Sequence, residues 1–426
     1  MNRGFEELPI ITLPEKRESL LIVNSCFPIE LRDGSLFVRD GISSYSVGIA
    51  QELKAGYEVT VISPGAGSSF DHEGVRFISR GGQSRVATLV GNLEYWREVL
   101  RYLLVHEIDL IISHSATTLF LSFITNVLSA RCIGIIHDTH PGENGPLFNF
   151  WRDLWLRRSR GLDLVFTDNL TDRQRLLEKY GFPPQKVHCT GGGTDPLRYG
   201  FSATKEDRLI FVGRFVRSKN IGPLVESLPA LRREAGNVKL ALIGSGILRD
   251  EIESLVARSG LDHQVEVRSG LNDQQKIAEL QRSKIYISLS QVEGFGMPVV
   301  EAMACGAVPV VSDIPAHRFI FQGRKVGFLV KDAKELTSKT AFLLREDAVW
   351  LEMAEQARRL VEEMWTWKKV KEHYEGAIST VPEKRLSGFA LKIKKPLKVG
   401  ILKLLIFLSY RLLVELSLLK TRNDGR

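Results

Sequence analysis

Short apolar runs alternate with longer amphipathic stretches along most of this 426-residue chain. Apolar runs bounded by turn residues are typical of buried strands, and stretches with a helical period are typical of helices. The alternation predicts an α/β architecture with parallel sheets. In the first half we predict strands at 20–26, 57–63, 108–113, 132–137, 162–167 and 186–189, with helices that include 92–105 and 171–179. In the second half we predict strands at 209–213, 239–243, 265–268, 285–289, 308–312 and 327–330.

Two breaks in this pattern indicate how the chain divides. Gly, Ser and charged residues interrupt the alternation near 199–207, and its character changes again after Pro382. The length is sufficient for two domains, each with a sizeable core. We therefore predict two α/β domains that meet near 199–207, followed by a separate tail.

The tail has the composition of an amphipathic helix. Residues 399–419 are strongly apolar but include Lys403, Arg411 and Glu415, which fall on one strip of a helix, and the stretch 391–398 before them is basic. Three charges argue against a membrane-spanning helix. A helix that lies in the membrane interface, with lysines on anionic lipid, fits this pattern. A helix packed on the protein itself or at an oligomer interface is the alternative.

Composition excludes some classes of function and indicates a location. Charged residues make up 25% of the chain and the net charge is +8, which is diffuse and does not favour nucleic acid as a partner. The cysteines at 26, 132, 189 and 305 are scattered, as in a protein of the reducing cytoplasm. The first twenty residues have no apolar core of signal-peptide length. We predict a cytoplasmic protein, peripheral on the inner face of the membrane.

The segment 292–303, VEGFGMPVVEAM, carries the strongest chemical signal. Gly294 and Gly296 allow a tight turn after the strand at 285–289, and Pro298 suits the first turn of a helix. The start of such a helix attracts phosphate. Glu301 inside the helix could accept hydrogen bonds from ribose hydroxyls, and Glu293 lies in the loop before it.

Two further strand ends carry related signals. The strand at 209–213 ends in Gly213, and Arg214 and Lys219 follow it as fixed cations that suit a phosphate group. The strand at 239–243 runs into Gly244 and Gly246, a Gly-x-Gly that lacks the third glycine of a dinucleotide fingerprint. Taken alone, the first segment could be a solvated basic loop and the second only a tight turn.

Together these segments resemble the signature of retaining glycosyltransferases of family 4, with the two-domain GT-B fold. The resemblance runs from about 20 to about 380 and rests on the Glu-x7-Glu spacing around Gly-Phe-Gly-Met-Pro, with the Gly-Arg and Lys segment before it. It implies two Rossmann-like doubly wound parallel-sheet domains that face a cleft. The implied divisions are an acceptor domain at 1–200, a donor domain at 201–364, a crossover helix back to the first domain at 365–381 and the tail at 382–426.

Three segments of the first half also match that family. Gly41 lies where the family has a glycine-rich loop near the donor phosphates, with Asp40 in place of a second glycine. His137 lies at a strand end where the family places a histidine near the donor sugar. A structural histidine is the alternative, as is a metal site with His114, His137, Asp138 and His140. Gly192 replaces the family's asparagine in the segment 190–199, which predicts a more permissive hinge.

The resemblance implies a hexosyltransferase that moves a sugar from a nucleoside-diphosphate-sugar to a hydroxyl of a glycan or lipid-linked acceptor. The chain contains no Asp-x-Asp, so we expect no metal and no other cofactor. A non-catalytic nucleotide-binding membrane subunit and a nucleotide-sugar epimerase on the same fold remain alternatives. The implied catalytic residues are His137, Glu293, Arg214 and Lys219. The implied donor-binding residues are Gly41, Gly213, Arg214, Lys219, Gly244, Gly294, Phe295, Gly296, Met297 and Glu301.

Overall fold

The first half of the chain folds around an eight-stranded sheet. The computed structural model describes residues 17–24, 28–32, 34–38, 41–65, 67–81, 89–114, 117–125, 128, 130–137, 139 and 146–383. The strands of this half are β1 (Glu18–Val23), β2 (Glu30–Arg32), β3 (Ser35–Phe37), β4 (Tyr57–Gly65), β5 (Ser68–His72), β6 (Val75–Gly81), β7 (Leu110–His114), β8 (Arg131–Ile136), β9 (Leu164–Thr167) and β10 (Val187–Cys189). The sheet has the order β10-β9-β8-β7-β1-β4-β6-β5, and only its β5–β6 pair is antiparallel; β2 and β3 form a separate antiparallel ladder.

Apolar cores lie on both faces of this sheet, so most residues of its central strands are buried. Strand β7 shows the result, because all five of its residues are buried, as is typical of parallel strands packed between helices. Asn169 begins the last helix of this half by accepting a hydrogen bond from the Asp172 backbone N–H. The helices are α1 (Gly41–Leu53), α2 (Leu89–Val105), α3 (Thr117–Ile124), α4 (Pro146–Arg158) and α5 (Leu170–Glu178).

The second half folds around a six-stranded sheet in which every described pair is parallel. Its strands are β11 (Glu206–Val212), β12 (Lys239–Ile243), β13 (Val265–Arg268), β14 (Ser283–Ser288), β15 (Val308–Ser312) and β16 (Phe328–Val330), in the spatial order β13-β12-β11-β14-β15-β16. The helices are α6 (Gly222–Glu226), α7 (Leu228–Ala235), α8 (Arg249–Arg258), α9 (Asp273–Arg282), α10 (Met297–Ala304), α11 (Pro315–Phe321), α12 (Ala333–Arg345), α13 (Asp347–Met364) and α14 (Trp367–Ile378).

The order of strands in this sheet reverses at β11, which lies between β12 and β14. In doubly wound sheets of this kind, ligands bind outside the carboxyl ends of the strands, at the point where the order reverses. A ligand site is therefore expected at the loops after β11, β12 and β14. The expectation of two Rossmann-like parallel-sheet domains is confirmed. Each main sheet, together with the helices that cover it, forms one domain. The eight-stranded sheet belongs to the first domain and the six-stranded sheet to the second.

Every strand that the sequence predicts is present, with ends shifted by a few residues. Strands β2, β3, β5 and β6 are additional to those predicted. Strands β5 and β6 are joined by a turn in which Glu73 and Gly74 both have positive φ, of 47° and 80°, the backbone that a two-residue hairpin requires. Strand β5 lies at the sheet edge, and each of its residues is at least partly exposed, so it lacks the apolar run by which the other strands are recognised.

The chain crosses between the domains twice, and the two crossings pair with each other. The Thr194 backbone N–H donates to the Trp365 carbonyl at 2.8 Å, and the Trp367 N–H donates to the Thr194 carbonyl at 3.3 Å. Helix α14 then packs on the first domain, where Val370 and Tyr374 lie in the apolar core beside α1. The second crossing thus returns the chain to the domain in which it began.

The glycines before the first crossing are tightly packed, which corrects the prediction of a more permissive hinge at Gly192. A Cβ atom at Gly192 would lie 2.6 Å from the Met297 sulfur, and one at Gly193 would lie 2.6 Å from the Trp367 nitrogen. Gly191 has a φ of 67° and is equally confined against Trp365. Glycine is required here because the two crossings and α10 approach so closely that no side chain fits.

Within the part of the chain that the structure describes, no helix has the length and apolar character needed to cross a membrane. The predicted interfacial helix, with Lys403, Arg411 and Glu415, lies outside the described residues.

Candidate active site

The loop between β14 and α10 brings the second domain into contact with the first. Gly296 precedes α10 with a φ of 107°, and Pro298 is the second residue of the helix, as the sequence predicts. A Cβ atom at Gly294 would lie 2.3 Å from the His137 carbonyl oxygen of the first domain. Asn169 of the first domain also donates its side-chain N–H to the Gly294 carbonyl at 2.5 Å. The segment with the strongest sequence signal is therefore also a contact point of the two domains.

Glu293, beside that contact, forms an ion pair with Lys219. The Lys219 Nζ lies 2.5 Å from the Glu293 Oε1, and both side chains are mostly buried. Burial alone would raise the pKa of Glu293, but Lys219 acts in the opposite direction and the net effect holds this pKa below its ordinary value. Two residues that the sequence predicts to act on the donor therefore lie together.

The second predicted cation, Arg214, follows Gly213 directly after β11 and is exposed. Among the described residues, no carboxylate lies within ion-pair distance of its guanidinium group. Lys219 ends the short helical turn Arg217–Lys219, and Asn220 after it adopts the left-handed conformation. This tight turn returns Lys219 towards Glu293 and leaves Arg214 open to a ligand.

Gly213 and Gly244 allow two neighbouring loops to touch. The Gly213 N–H donates to the Ile243 carbonyl at 3.0 Å, and the Phe215 N–H donates to the Ser245 carbonyl at 2.8 Å. A Cβ atom at Gly244 would lie 1.8 Å from the Gly213 carbonyl oxygen. The glycines of the Gly-x-Gly segment thus pack the loops after β11 and β12 together, whether or not they also approach a phosphate.

Glu301 lies inside α10, as the sequence predicts, but its side chain is almost fully buried. Its Oε1 accepts hydrogen bonds from the Tyr199 hydroxyl at 3.0 Å and from the Lys276 Nζ at 2.9 Å. Burial opposes the charge on Lys276, but the carboxylate of Glu301 prevails and raises the pKa of this lysine well above its ordinary value. Tyr199 and Lys276 thus hold the Glu301 carboxyl group in place, and neither was predicted from the sequence to be a site residue.

Phe295 and Met297 serve the packing between the domains. The Phe295 ring is buried and packs edge-to-face against Trp365, with ring centroids 5.3 Å apart. The Met297 sulfur lies against Gly192 in the first crossing. Side-chain contacts of these two residues are therefore with protein, and a contact with the donor would have to use their backbone.

On the first-domain side, Gly41 is the first residue of α1 and is exposed. No heavy atom lies within 4 Å of a Cβ atom placed there. The space around Gly41 is compatible with the predicted approach of a ligand, but no contact of this glycine requires the absence of a side chain. Asp40, before it, lies outside the described residues.

His137 directly follows β8, and both of its ring nitrogens have protein partners. Nδ1 lies 2.6 Å from the Asp168 Oδ2, and Nε2 lies 2.9 Å from the His114 Nδ1. The His114 Nε2 in turn lies 3.2 Å from the Ser46 Oγ. A sugar hydroxyl could bind the imidazole of His137 only by displacing one of these partners, so the predicted role of this side chain requires either that displacement or an indirect action.

The sequence did not predict Asp168, Ser46 and Asn169 as residues of this site, and it grouped His114 with His137 only in the alternative of a metal site. A signal was available, because polar residues end three neighbouring strands: His114 ends β7, His137 follows β8 and Asp168 follows β9. Carboxyl ends of adjacent parallel strands meet at one edge of a sheet. The row is not recognisable from any single segment.

The alternative prediction of a metal site has His114, His137, Asp138 and His140 as its ligands. Asp138 and His140 lie outside the described residues. In the remainder, no group of three or more His, Cys, Asp or Glu side chains is arranged to hold a metal ion. His114 and His137 bond to each other through ring nitrogens, so they do not converge on a shared ion in this arrangement.

A small pocket opens between the two domains beside Glu293. The first domain contributes the start of α5, and the second contributes the loop before α10 and the start of α11. The pocket is lined by Asn169, Thr171, Gln291, Val292, Glu293, Ile314, Pro315 and Ala316.

Comparisons with known proteins cover both domains. The family model for glycosyltransferase family 4 matches residues 39–198, and the model for glycosyl transferases group 1 matches residues 200–362. A curated relative from Xanthomonas oryzae, a GDP-mannose:cellobiosyl-diphosphopolyprenol alpha-mannosyltransferase, is 28% identical over 136 residues, which is 31% of this chain and 36% of the relative. The chain matches between 36% and 51% of the length of this relative and three others.

Solved structures show the same fold. A sucrose-phosphate synthase from Thermosynechococcus elongatus superimposes with a TM-score of 0.73 at 17% identity, covering 85% of this chain and 99% of that protein. The Anabaena protein HepE, solved in complex with UDP and glucose, gives a TM-score of 0.68 at 16% identity, covering 85% of this chain and 100% of that protein. At these identities the likeness establishes the fold and leaves substrate choice open.

Proposed function

This chain belongs to the family 4 glycosyltransferases of the GT-B fold, and from this premise we propose that it moves a hexosyl group from a nucleoside-diphosphate-sugar to an acceptor hydroxyl, with retention of configuration and without a metal ion. The observation that carries the proposal is the Lys219–Glu293 pair, which lies next to the point where the two domains touch. A donor held there meets groups from both domains.

The cations of the second domain suit the leaving group. Departure of a nucleoside diphosphate adds negative charge to the phosphate oxygens, and fixed cations stabilise that charge. Arg214 is exposed and has no carboxylate partner among the described residues, so it is available for a bidentate contact with phosphate. Lys219 is already paired with Glu293 and would be shared between that carboxylate and the diphosphate.

Glu293 and Glu301 fit different parts of the donor. Glu301 is held within α10 by Tyr199 and Lys276, and its carboxyl oxygens would accept hydrogen bonds from the ribose hydroxyls. Glu293 lies on the loop at the domain contact, where its carboxylate could fix a sugar hydroxyl and stabilise positive charge that develops at the anomeric carbon. The Anabaena neighbour that binds UDP and glucose supports a donor of this type.

The environment of His137 supports retention. An inverting transfer needs a base that takes the proton of the acceptor hydroxyl, and a histidine serves as base through a free ring nitrogen. Both nitrogens of His137 are engaged. We therefore propose that the acceptor attacks on the face that the leaving group vacates and gives its proton to the departing diphosphate.

The acceptor is proposed to be a glycan or a lipid-linked sugar that enters beside Glu293. The pocket between α5 and α11 opens there and is lined by both domains. The Xanthomonas relative named above acts on a diphosphopolyprenol-linked sugar. A lipid-linked acceptor agrees with the predicted position of the chain on the inner face of the membrane.

A two-stage assay tests the proposal. Thermal shift with UDP, GDP and ADP identifies the nucleotide, since a ligand at a hundred times its Kd stabilises a protein by about 2.7 kcal/mol. The matching sugar donors are then incubated with candidate acceptors in the presence and absence of EDTA, and the anomeric configuration of the product is read by NMR. Retained configuration and activity in EDTA are expected. Inverted product, or activity only with added metal, would contradict the mechanism.

The same assay separates the alternatives. Conversion of the donor sugar without any acceptor would indicate an epimerase, and nucleotide binding with no turnover of any donor would indicate a non-catalytic subunit.

The tail supplies a separate test of location. Deleting residues 386–426 should move the protein from the membrane fraction to the soluble fraction without lowering its Tm. High salt should partly reproduce this shift, because it screens lysines from anionic lipid. Aggregation or a much lower Tm of the truncated protein would show instead that the tail is part of the folded core.

A further inference from the structure

Four polar side chains form a continuous hydrogen-bonded row on the first-domain side of the cleft. The row runs from Asp168 through His137 and His114 to Ser46, and none of these residues is more than 9% exposed. Buried polar groups are normally hydrogen-bonded, so each contact in the row needs a donor and an acceptor. The far end of the row determines which group donates at each step.

The direction is set at Ser46. Its hydroxyl lies 3.0 Å from the carbonyl oxygen of Ile42, one turn earlier in α1. A carbonyl oxygen only accepts, and a serine hydroxyl has a single hydrogen. The Ser46 hydrogen is therefore directed to Ile42, and the Ser46 Oγ accepts from the Nε2 of His114.

The rest of the row follows from that assignment. Burial, and then the neighbouring His137, lower the pKa of His114 well below its ordinary value, so His114 is neutral. With hydrogen on Nε2, its Nδ1 holds a lone pair and accepts from the Nε2 of His137. Asp168 accepts from the Nδ1 of the same ring at 2.6 Å. Both ring nitrogens of His137 then carry hydrogen.

We propose that Asp168, His114 and Ser46 are positioning residues that hold His137 as an imidazolium ion beside the cleft. Asp168 supplies the counter-charge, while His114 and Ser46 fix the direction of the hydrogen bonds. Among the described residues, the other titratable groups around this pair are Tyr45, whose ring lies edge-on 5.3 Å from that of His137, and Cys189 and Tyr374 near Asp168. With the His114 hydrogen on Nε2, a neutral His137 ring bonded to Asp168 would place two lone pairs face to face between the two histidines.

The use of this charge rests on the proposed function. The His137 backbone is against Gly294, next to the Lys219–Glu293 pair. An imidazolium ion there adds a cation from the first domain to the two cations of the second. Its field would stabilise the diphosphate leaving group when the domains are in contact.

Nitrogen-15 NMR of the full-length wild-type protein, with labelled histidine and no ligand, tests the charge state without reference to activity. The protein has nine histidines, and the variants His137→Gln and His114→Gln identify the two signals. At pH 7 we expect both nitrogens of His137 to have shifts of protonated nitrogen, and His114 to be the neutral Nε2–H form. A neutral His137 with hydrogen only on Nδ1, paired with an Nδ1–H form of His114, would overturn the proposal.

Kinetic measurements test whether the charge on His137 contributes to the transfer reaction. Asp168→Asn should lower kcat/KM on the order of a hundredfold at pH 8, as loss of a charge-stabilising group does. The loss should be smaller at pH 6, where solvent protons can charge the imidazole. Asp262→Asn, at an exposed aspartate remote from the row, is the control for removal of a carboxylate.

The outcomes distinguish this inference from the function on which it rests. Equal losses at pH 6 and pH 8 would show that Asp168 is structural and would overturn its positioning role. If no donor is turned over by the wild type, the proposed function fails, and the NMR result still decides the charge of His137. If Asp168→Asn does not fold, Ser46→Ala tests the same row, with His114 expected to change its tautomer.

Discussion

The two faces of the cleft are built in different ways. The face of the second domain carries charges that are open to a ligand: Arg214 is exposed, and Lys219 and Glu293 are paired at the cleft. The face of the first domain carries a buried row from Asp168 to Ser46, in which the groups bond to each other. The difference suggests a division of labour, with donor binding on the second domain and control of the reacting geometry on the first.

This contrast also explains what the sequence can reveal. Lys219 and Glu293 belong to short segments in which glycine, cation and carboxylate stand at fixed spacing, so the sequence itself indicates their chemistry. The first-domain row joins residues 46, 114, 137 and 168, which lie in or directly after four separate elements. Only the parallel order of β7, β8 and β9 brings three of them together, and the sequence around a single histidine does not identify its partners.

The fold, too, could be predicted from the sequence only in part. Buried parallel strands give continuous apolar runs, and all of those predicted are present. The edge hairpin of β5 and β6 is not predicted because β5 is partly exposed and its turn uses Glu73 in a left-handed conformation, which residue type alone does not suggest. The glycines at 191–193 suggest backbone freedom in the sequence, whereas the structure packs them against the second crossing, a contact between segments far apart in the chain.

The largest effect is expected on the second-domain face. Arg214→Ala and Lys219→Ala should each lower kcat/KM on the order of a hundredfold or more, because each removes a cation that we propose to stabilise the leaving group. Steady-state kinetics with the identified donor measures this. Arg217→Ala, at an exposed arginine between the two, is the matched control and should retain most activity. Near-normal turnover in both variants would contradict the proposal that Arg214 and Lys219 stabilise the leaving group.

A substitution at the contact between the two domains should lower the rate of transfer almost as much. A Cβ atom at Gly294 would collide with the His137 carbonyl, so Gly294→Ala should hold the domains apart. Misplacement by about 1 Å costs roughly a hundredfold in rate. Binding of the nucleoside diphosphate should change little. Gly376→Ala, in α14 with open space around it, should be active. A Gly294→Ala enzyme with normal kcat would show that this contact is not needed for transfer.

The two glutamates should separate binding from turnover within one face. Glu301→Gln keeps the size of the side chain but loses the charged acceptor, which should weaken diphosphate binding by roughly 1.5–3 kcal/mol. Glu293→Gln should leave that binding nearly unchanged and lower kcat, the pattern of an interaction made in the transition state. Titration calorimetry and transfer kinetics, with Glu253→Gln on α8 as control, measure both. If the effects are exchanged, the roles of the two residues are reversed.

The smallest expected effect concerns pH. The folded protein lowers the pKa of Glu293, so the carboxylate contributes stability above its unfolded pKa, and this contribution is lost as the pH falls through the lower, folded value. Glu293→Gln should therefore lower Tm by roughly 1–3 °C at pH 7 relative to the wild type, with the gap closing below pH 4. Scanning calorimetry across this range measures the gap. A gap that widens in acid would show that the pair with Lys219 does not stabilise the fold.

Calorimetric titration of the nucleoside diphosphate into variants of both faces tests the division of labour most directly. We expect Arg214→Ala and Glu301→Gln to weaken binding at least tenfold, and Asp168→Asn to weaken it by less than either while lowering the rate of transfer, the separation expected when ground-state and transition-state contacts differ. Loss of diphosphate binding in Asp168→Asn, with binding retained in Arg214→Ala and Glu301→Gln, would contradict it.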